Sequence, residues 1–119
     1  MGVAEPAQIN ERFAAGFNAR DVDALVDLYD PDGSVVEPDG SVSVGTAAIR
    51  AHLERLVALG GRMVSMNRSS VMVGDIALVT AEWHVADSSA GDLTGRSAEV
   101  LRRLSDGSWV YVIDQPLLA

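Results

Sequence analysis

The chain begins with helical periodicity and ends with strand alternation. Ile9, Phe13 and Phe17 recur every fourth residue, which places one apolar stripe on a first helix. Pro6 stands near its start, where a missing N–H costs little. Asn18–Asp21 breaks the pattern, and Asp21 is suited to cap a second helix with Leu25 and Leu28 facing inward. Asp30-Pro31-Asp32-Gly33 reads as a stop and turn. A short strand, Ser34 to Glu37, ends at Pro38-Asp39-Gly40. Thr46 is expected to cap a third helix with Ile49, Leu53 and Leu56 buried, and Gly60-Gly61 ends it.

From Arg62 the period shortens to two. Arg62–Val73 and Ile76–Ala86 are expected as strands joined at Gly74-Asp75, a loop with glycine first. Asp87–Asp92 is expected as a small polar loop. Leu93–Leu104 and Ser108–Asp114 meet at Asp106-Gly107, another hairpin signal. Three N-terminal helices followed by an antiparallel meander predict an α+β fold, a single domain over 1–119, with a curved sheet around a helical layer and a pocket between the layers.

Alternation sorts the strand residues by face. In Ile76–Ala86, one face carries Ile76, Leu78, Thr80, Glu82 and His84; the other carries Ala77, Val79, Ala81, Trp83 and Val85. Both begin apolar. The first face, apolar at one end and polar at the other, suits a ligand cavity. It is expected to line the pocket, leaving Val79, Ala81 and Trp83 to pack against a second copy. Solvent exposure of Glu82 and His84 is the competing reading. Ser97, Glu99 and Leu101 share a face, as do Val110, Val112 and Asp114. Glu99 and Asp114 are thus acids inside apolar segments.

Composition narrows the chemistry. The formal charge is −8, and all 9 basic residues are Arg. Such a chain repels phosphate backbones and anionic bilayers, which argues against nucleic-acid and membrane partners. There is no Cys, so disulfides, zinc–thiolate sites and a thiol nucleophile are excluded. No basic, apolar leader and no long apolar run is visible, consistent with a cytoplasmic location. No metal-ligand spacing, phosphate loop or nucleophile elbow stands out, so neither metal nor cofactor is expected.

Three stretches carry a family resemblance: Phe17–Leu25, Val35-Val36-Glu37-Pro38 and Gly45–Arg50, supported by the ending Val100–Asp114. Together they resemble the Δ5-3-ketosteroid isomerases and the SnoaL-like polyketide cyclases of the nuclear transport factor 2-like superfamily. The resemblance implies a cone-shaped fold, a pocket at its wide end and a homodimer packed sheet to sheet. It implies a general base at Glu37, before Pro38, and a proton-sharing acid at Glu99. It puts Phe13 where these isomerases have an oxyanion-hole tyrosine, and Tyr29 at a supporting tyrosine.

The expected site therefore comprises Glu37, Glu99, His84 and Asp114 as catalytic groups. Phe13, Phe17, Tyr29, Leu53, Thr80, Glu82, Leu101 and Val112 are expected around the ligand. His84 would shuttle a proton, oriented by Asp114 or Glu82. His52, beside the third helix's buried stripe, reads as a boundary residue with a satisfied hydrogen bond. The function these residues suggest is acid–base chemistry on a small apolar carbonyl or epoxide. Ligand binding without turnover, suggested by Phe13, and a dimeric interaction module are the alternatives.

Overall fold

A computed structural model describes residues 1–118. A 3₁₀ turn, Pro6–Gln8, leads into helix α1 (Ile9–Asn18). The second helix, α2, is only five residues, Val22–Val26, closed by Asp21 accepting from the Ala24 amide at 3.0 Å. Strand β1 (Tyr29–Val36) and the short β2 (Val42–Val44) then precede helix α3 (Thr46–Ala58). The long strands follow: β3 (Arg62–Val73), β4 (Ile76–Ser88), β5 (Gly91–Arg103) and β6 (Trp109–Gln115).

All six strands join one sheet in the order β2-β1-β6-β5-β4-β3. The β1–β6 pair is parallel, so the sheet is mixed where a purely antiparallel one was expected. Two full helices and one short turn of helix cover it, in place of three full helices. Asp30-Pro31-Asp32-Gly33 does not stop the chain but lies within β1. Its turn chemistry survives as a register shift between Tyr29 and Ser34 opposite β6, with the Asp32 amide donating to Asp30 Oδ1. Gly45, at φ 88°, caps α3, and Thr46 is its first residue. The expected loop at Asp87–Asp92 shrinks to a tight turn, because β4 and β5 pair out to Ser88 and Gly91.

Two apolar clusters fill the space between the layers. Ile9, Leu25, Ile49, Leu53, Val79 and Leu101, each fully buried, form the heart of the larger. Ala14, Phe17, Met63 and Val85 form the smaller, with Phe13, Leu56, Trp83 and Leu93 against it. Gly61 permits the approach of α3 to β4: a Cβ there would lie 2.5 Å from the Ala86 carbonyl oxygen. Gly95 leaves a bare patch of sheet on which the Trp83 ring lies, 2.5 Å from where a side chain would begin.

The faces of β4 are the reverse of the expectation. Ala77, Val79, Ala81 and Val85 are buried under the helices, and Ile76 and Leu78 are about half exposed. Thr80, Glu82 and His84 lie on the outer face with them. The uninterrupted apolar face won, because burying the face that carries Glu82 would cost a desolvated charge. Substitutions report this directly. Leu101→Ala is expected to destabilise by about 2–5 kcal/mol, whereas Leu78→Ala should cost under about 1 kcal/mol, both read from urea unfolding. Equal costs would contradict the assignment of faces.

Candidate functional site

Few polar side chains reach the inner surface, and they converge at one place. Glu99 on β5 and Asp114 on β6 are direct cross-strand partners. Both are buried, 2% and 6% exposed. Simple alternation would not put Asp114 and Tyr111 on one face. A bulge does: Val100 pairs with Ile113 and Leu101 with Tyr111, so Val112 has no partner and the strand's parity flips.

Both carboxyls are held by neutral donors, Glu99 by Asn10 and Ser97 and Asp114 by Tyr29. Asn10, in the first turn of α1, donates its Nδ2 to Glu99 Oε1 at 2.6 Å, and its Oδ1 accepts from the Tyr111 hydroxyl at 2.6 Å. The Tyr29 hydroxyl donates to Asp114 Oδ2 at 2.5 Å. Burial pushes Glu99 up to about 8, reinforced by the charge of Asp114 and opposed by Ser97 and Asn10. Burial also raises Asp114, to about 6, against the pull of the Tyr29 hydrogen bond and the charge of His52. Tyr29 and Tyr111 are raised well above ordinary phenols, mainly by burial, and remain hydroxyl donors at neutral pH.

A third acidic group stands one layer back. Glu37 Oε1 lies 2.9 Å from Nδ1 of His52, which reaches in from α3. Its Oε2 accepts from Ser43 Oγ at 2.6 Å and from Arg55 at 3.3 Å. Partial burial works to raise Glu37, but these hydrogen bonds and the charges of His52 and Arg55 prevail and lower it. With Nδ1 held by Glu37, Nε2 is the nitrogen His52 has left for the pocket it lines.

The cavity measures about 90 Å³. Phe13, Phe17, Met63, Trp83 and Leu93 form its apolar wall, and Asn10, His52, Glu99, Tyr111 and Asp114 its polar end. Among the described lining residues there is no Arg.

The sequence-derived candidates fall into four groups. Glu99, Asp114, Phe13 and Phe17 line the cavity, and Tyr29 lies directly behind Asp114. Glu37 adjoins the site through His52 and is not itself in the cavity wall. Leu53 and Leu101 belong to the solid core. Thr80, Glu82, His84 and Val112 are corrections. Thr80 bonds Ser69 on the outer face, Glu82 pairs with Arg68 at 2.6 Å, His84 is exposed beside it, and the bulge turns Val112 away. Trp83, expected outside, lines the cavity.

As site residues, Asn10 was missed, His52 was read as a boundary residue whose hydrogen bond Glu37 does supply, and Tyr111 was missed. A signal existed for the first two. Asn10 stands three residues before Phe13, and His52 three after Ile49 and four before Leu56, so both lie on buried helical faces. Tyr111 was hidden by the bulge.

This arrangement sits in a nuclear transport factor 2-like fold, and the chain belongs to the SnoaL-like domain family, whose model matches residues 10–112. Its backbone is similar to that of a Thiobacillus denitrificans protein described as a calcium/calmodulin-dependent protein kinase type II association domain (18% identity, 99% of each chain covered, TM-score 0.80). It is also similar to a ketosteroid isomerase-like protein from Erwinia carotovora atroseptica (20% identity, 90% of this chain and 88% of that one, TM-score 0.74). A third is a nuclear transport factor 2-like protein of unknown function from Pseudomonas putida (22% identity, 91% and 80% covered, TM-score 0.72). No curated protein matches the sequence. At such identities the structural likeness speaks for the fold alone.

The buried pair makes stability depend on pH. A carboxyl raised on folding holds its proton more tightly in the folded chain than in the unfolded one. The stability this contributes is fully present below the ordinary 4.5 and is lost as pH rises to about 8. Glu99→Gln, which mimics the protonated form, should therefore be more stable than the native chain at pH 8, with the gap closing towards pH 5. A gap of the same size at both pH values in urea unfolding would contradict the buried, proton-retaining Glu99.

Proposed function

We propose that this SnoaL-like domain is an acid–base enzyme acting on a small, mostly apolar carbonyl compound. One observation carries the reading: a proton-retaining carboxyl, Glu99, shares an apolar cavity with an imidazole held by a carboxylate, His52 with Glu37. The carbonyl oxygen accepts from Glu99, and His52 Nε2 removes a proton from the neighbouring carbon. The C–H electron pair moves into the enol double bond, and the carbonyl electrons move to the oxygen held by Glu99. Asp114 then balances the imidazolium. Return of the proton to another carbon completes an isomerisation; an epoxide oxygen would take the same donor.

In this reading Glu37 orients the base rather than serving as one. Its three donors leave it a weak proton acceptor. Deuterium exchange at the α-carbon of small cyclic ketones, followed by NMR, tests the roles without the native substrate. His52→Gln is expected to slow exchange by about 10²–10⁴-fold. Glu37→Gln should slow it less, and His84→Gln not at all. Exchange that survives His52→Gln, or that fails with His84→Gln, would overturn the base assignment. Phe13, in place of a hydroxyl donor, favours a second reading, a ligand carrier. Tight ketone binding with no exchange by the native chain would support that one.

For the expected sheet-to-sheet homodimer, the outer face carries other residues than those expected. Val79 and Ala81 are core residues and Trp83 lines the cavity. Val64, Met66, Leu78 and Ile113 are among the large apolar groups that the outer face exposes, these four at 44–52%. We propose that these meet a second copy. Sedimentation should give twice the chain mass and Met66→Glu the single mass; a native monomer would contradict the proposal.

A further inference from the structure

The hydrogen bonds around the two buried carboxyls specify which oxygen of each is free. The Tyr111 hydroxyl is buried, and among the described residues its one hydrogen-bond partner is Asn10. It must donate, so it fixes the Asn10 amide with Oδ1 towards itself and Nδ2 towards Glu99. Glu99 Oε1 is therefore an acceptor already in use. A proton on Glu99 resides on Oε2. Asp114 is fixed the same way: Tyr29 occupies Oδ2, and Oδ1 remains. Glu99 and Asp114 both line the cavity, so the oxygens that Asn10 and Tyr29 leave are the ones turned towards it, that of Glu99 beside Ser97.

The register sets Glu99 and Asp114 opposite each other on one sheet face, with Cβ atoms roughly 5 Å apart for such a pair. Two carboxyls that close do not both ionise readily, and the one with the weaker support keeps the proton. The charged and titratable groups facing them are His52 from α3, Tyr29 from β1 and Tyr111 from β6. None is a permanent cation. Of the two facing carboxyls, Glu99 thus presents a donor, Oε2–H, and Asp114 an acceptor, Oδ1, on a cavity wall that His52, Ser65 and Ser97 also line.

We propose that Glu99 and Asp114 form a donor–acceptor pair that selects neutral ring compounds carrying a carbonyl with an N–H or O–H beside it, such as a lactam or an enolised dicarbonyl. This rests on the acid–base reading above and names its substrate class. A lone ketone uses only Glu99. A carboxylate or phosphate ligand meets Asp114 with no Arg in the cavity wall to offset it, and is rejected.

Calorimetry with 2-quinolone and N-methyl-2-quinolone tests the pair. The first offers both contacts; the second keeps the carbonyl and loses the N–H. The native chain should prefer 2-quinolone by about tenfold or more, the range for a hydrogen bond to a charged acceptor. Asp114→Asn, which presents N–H to the cavity once Tyr29 has taken its oxygen, should erase the preference. Tyr29→Phe leaves Oδ1 in place and should keep it, which separates loss of the acceptor from disturbance of the fold. Glu99→Gln, whose donor does not titrate, should lose the weakening of 2-quinolone binding that the native chain shows above pH 8, and the same weakening in the variant would count against Glu99 as the donor.

Equal affinity of the native chain for both quinolones, or a preference that survives Asp114→Asn, would overturn the proposal. The ketone-exchange assay keeps the two readings apart. Exchange with no quinolone preference would refute the pair and spare the base. A preference without exchange would support the pair and refute the enzyme.

Discussion

Two carboxyl groups facing each other across neighbouring strands, out of water, constrain nearly everything around them. Glu99 and Asp114 cannot both be charged at low cost, and neither can be left without donors. The fold meets both demands with neutral groups: an asparagine amide, two phenols and no arginine. A guanidinium in the same place would hold both carboxylates ionised and remove the retained proton. Fixing that proton also needs the rest of the cone. Asn10 must enter at the first turn of α1, Tyr29 must lie beside β6 in the sheet, and the unpaired Val112 must turn both Tyr111 and Asp114 inward.

The second polar element is the Glu37–His52 pair, and the proposed reading exchanges the roles expected of its members. Glu37, before Pro38, has the position of a base but the surroundings of a support. Ser43, Arg55 and His52 donate to it, and it keeps its charge. The imidazole carries that influence into the cavity. The charge is thereby kept one side chain away from the Glu99–Asp114 pair, where a third carboxylate would be repelled.

Most of the fold was legible because its signals are local. Helix stripes, the Asp21 cap of α2 and two hairpin loops all follow from neighbours in sequence. The resemblance at Phe17–Leu25 and Glu37-Pro38 supplied the cone. The errors have a common cause, the properties that only packing decides. The face of β4 was ambiguous because both faces start apolar, and two alanines understated the burial of the inner one. The bulge at Val112 carries no glycine or proline to announce it. Asp30-Pro31-Asp32-Gly33 keeps its turn chemistry yet lies in a strand, since β6 offers its neighbours a pairing partner. His52 shows the same limit: a polar residue on a buried helical face is a candidate only once its partner, Glu37, is known to lie against it.

The central claim is that Glu99 holds a proton at neutral pH because it is buried in an apolar cavity, with Asp114 facing it and reinforcing the effect. Carbon-13 NMR of the glutamate carboxyls, titrated from pH 4 to 10 in the native chain and in Asp114→Asn, measures this directly. The account predicts one glutamate titrating near 8, well apart from the rest, and moving down when Asp114 loses its charge. All glutamates titrating in the ordinary range, or a high value indifferent to Asp114→Asn, would contradict it.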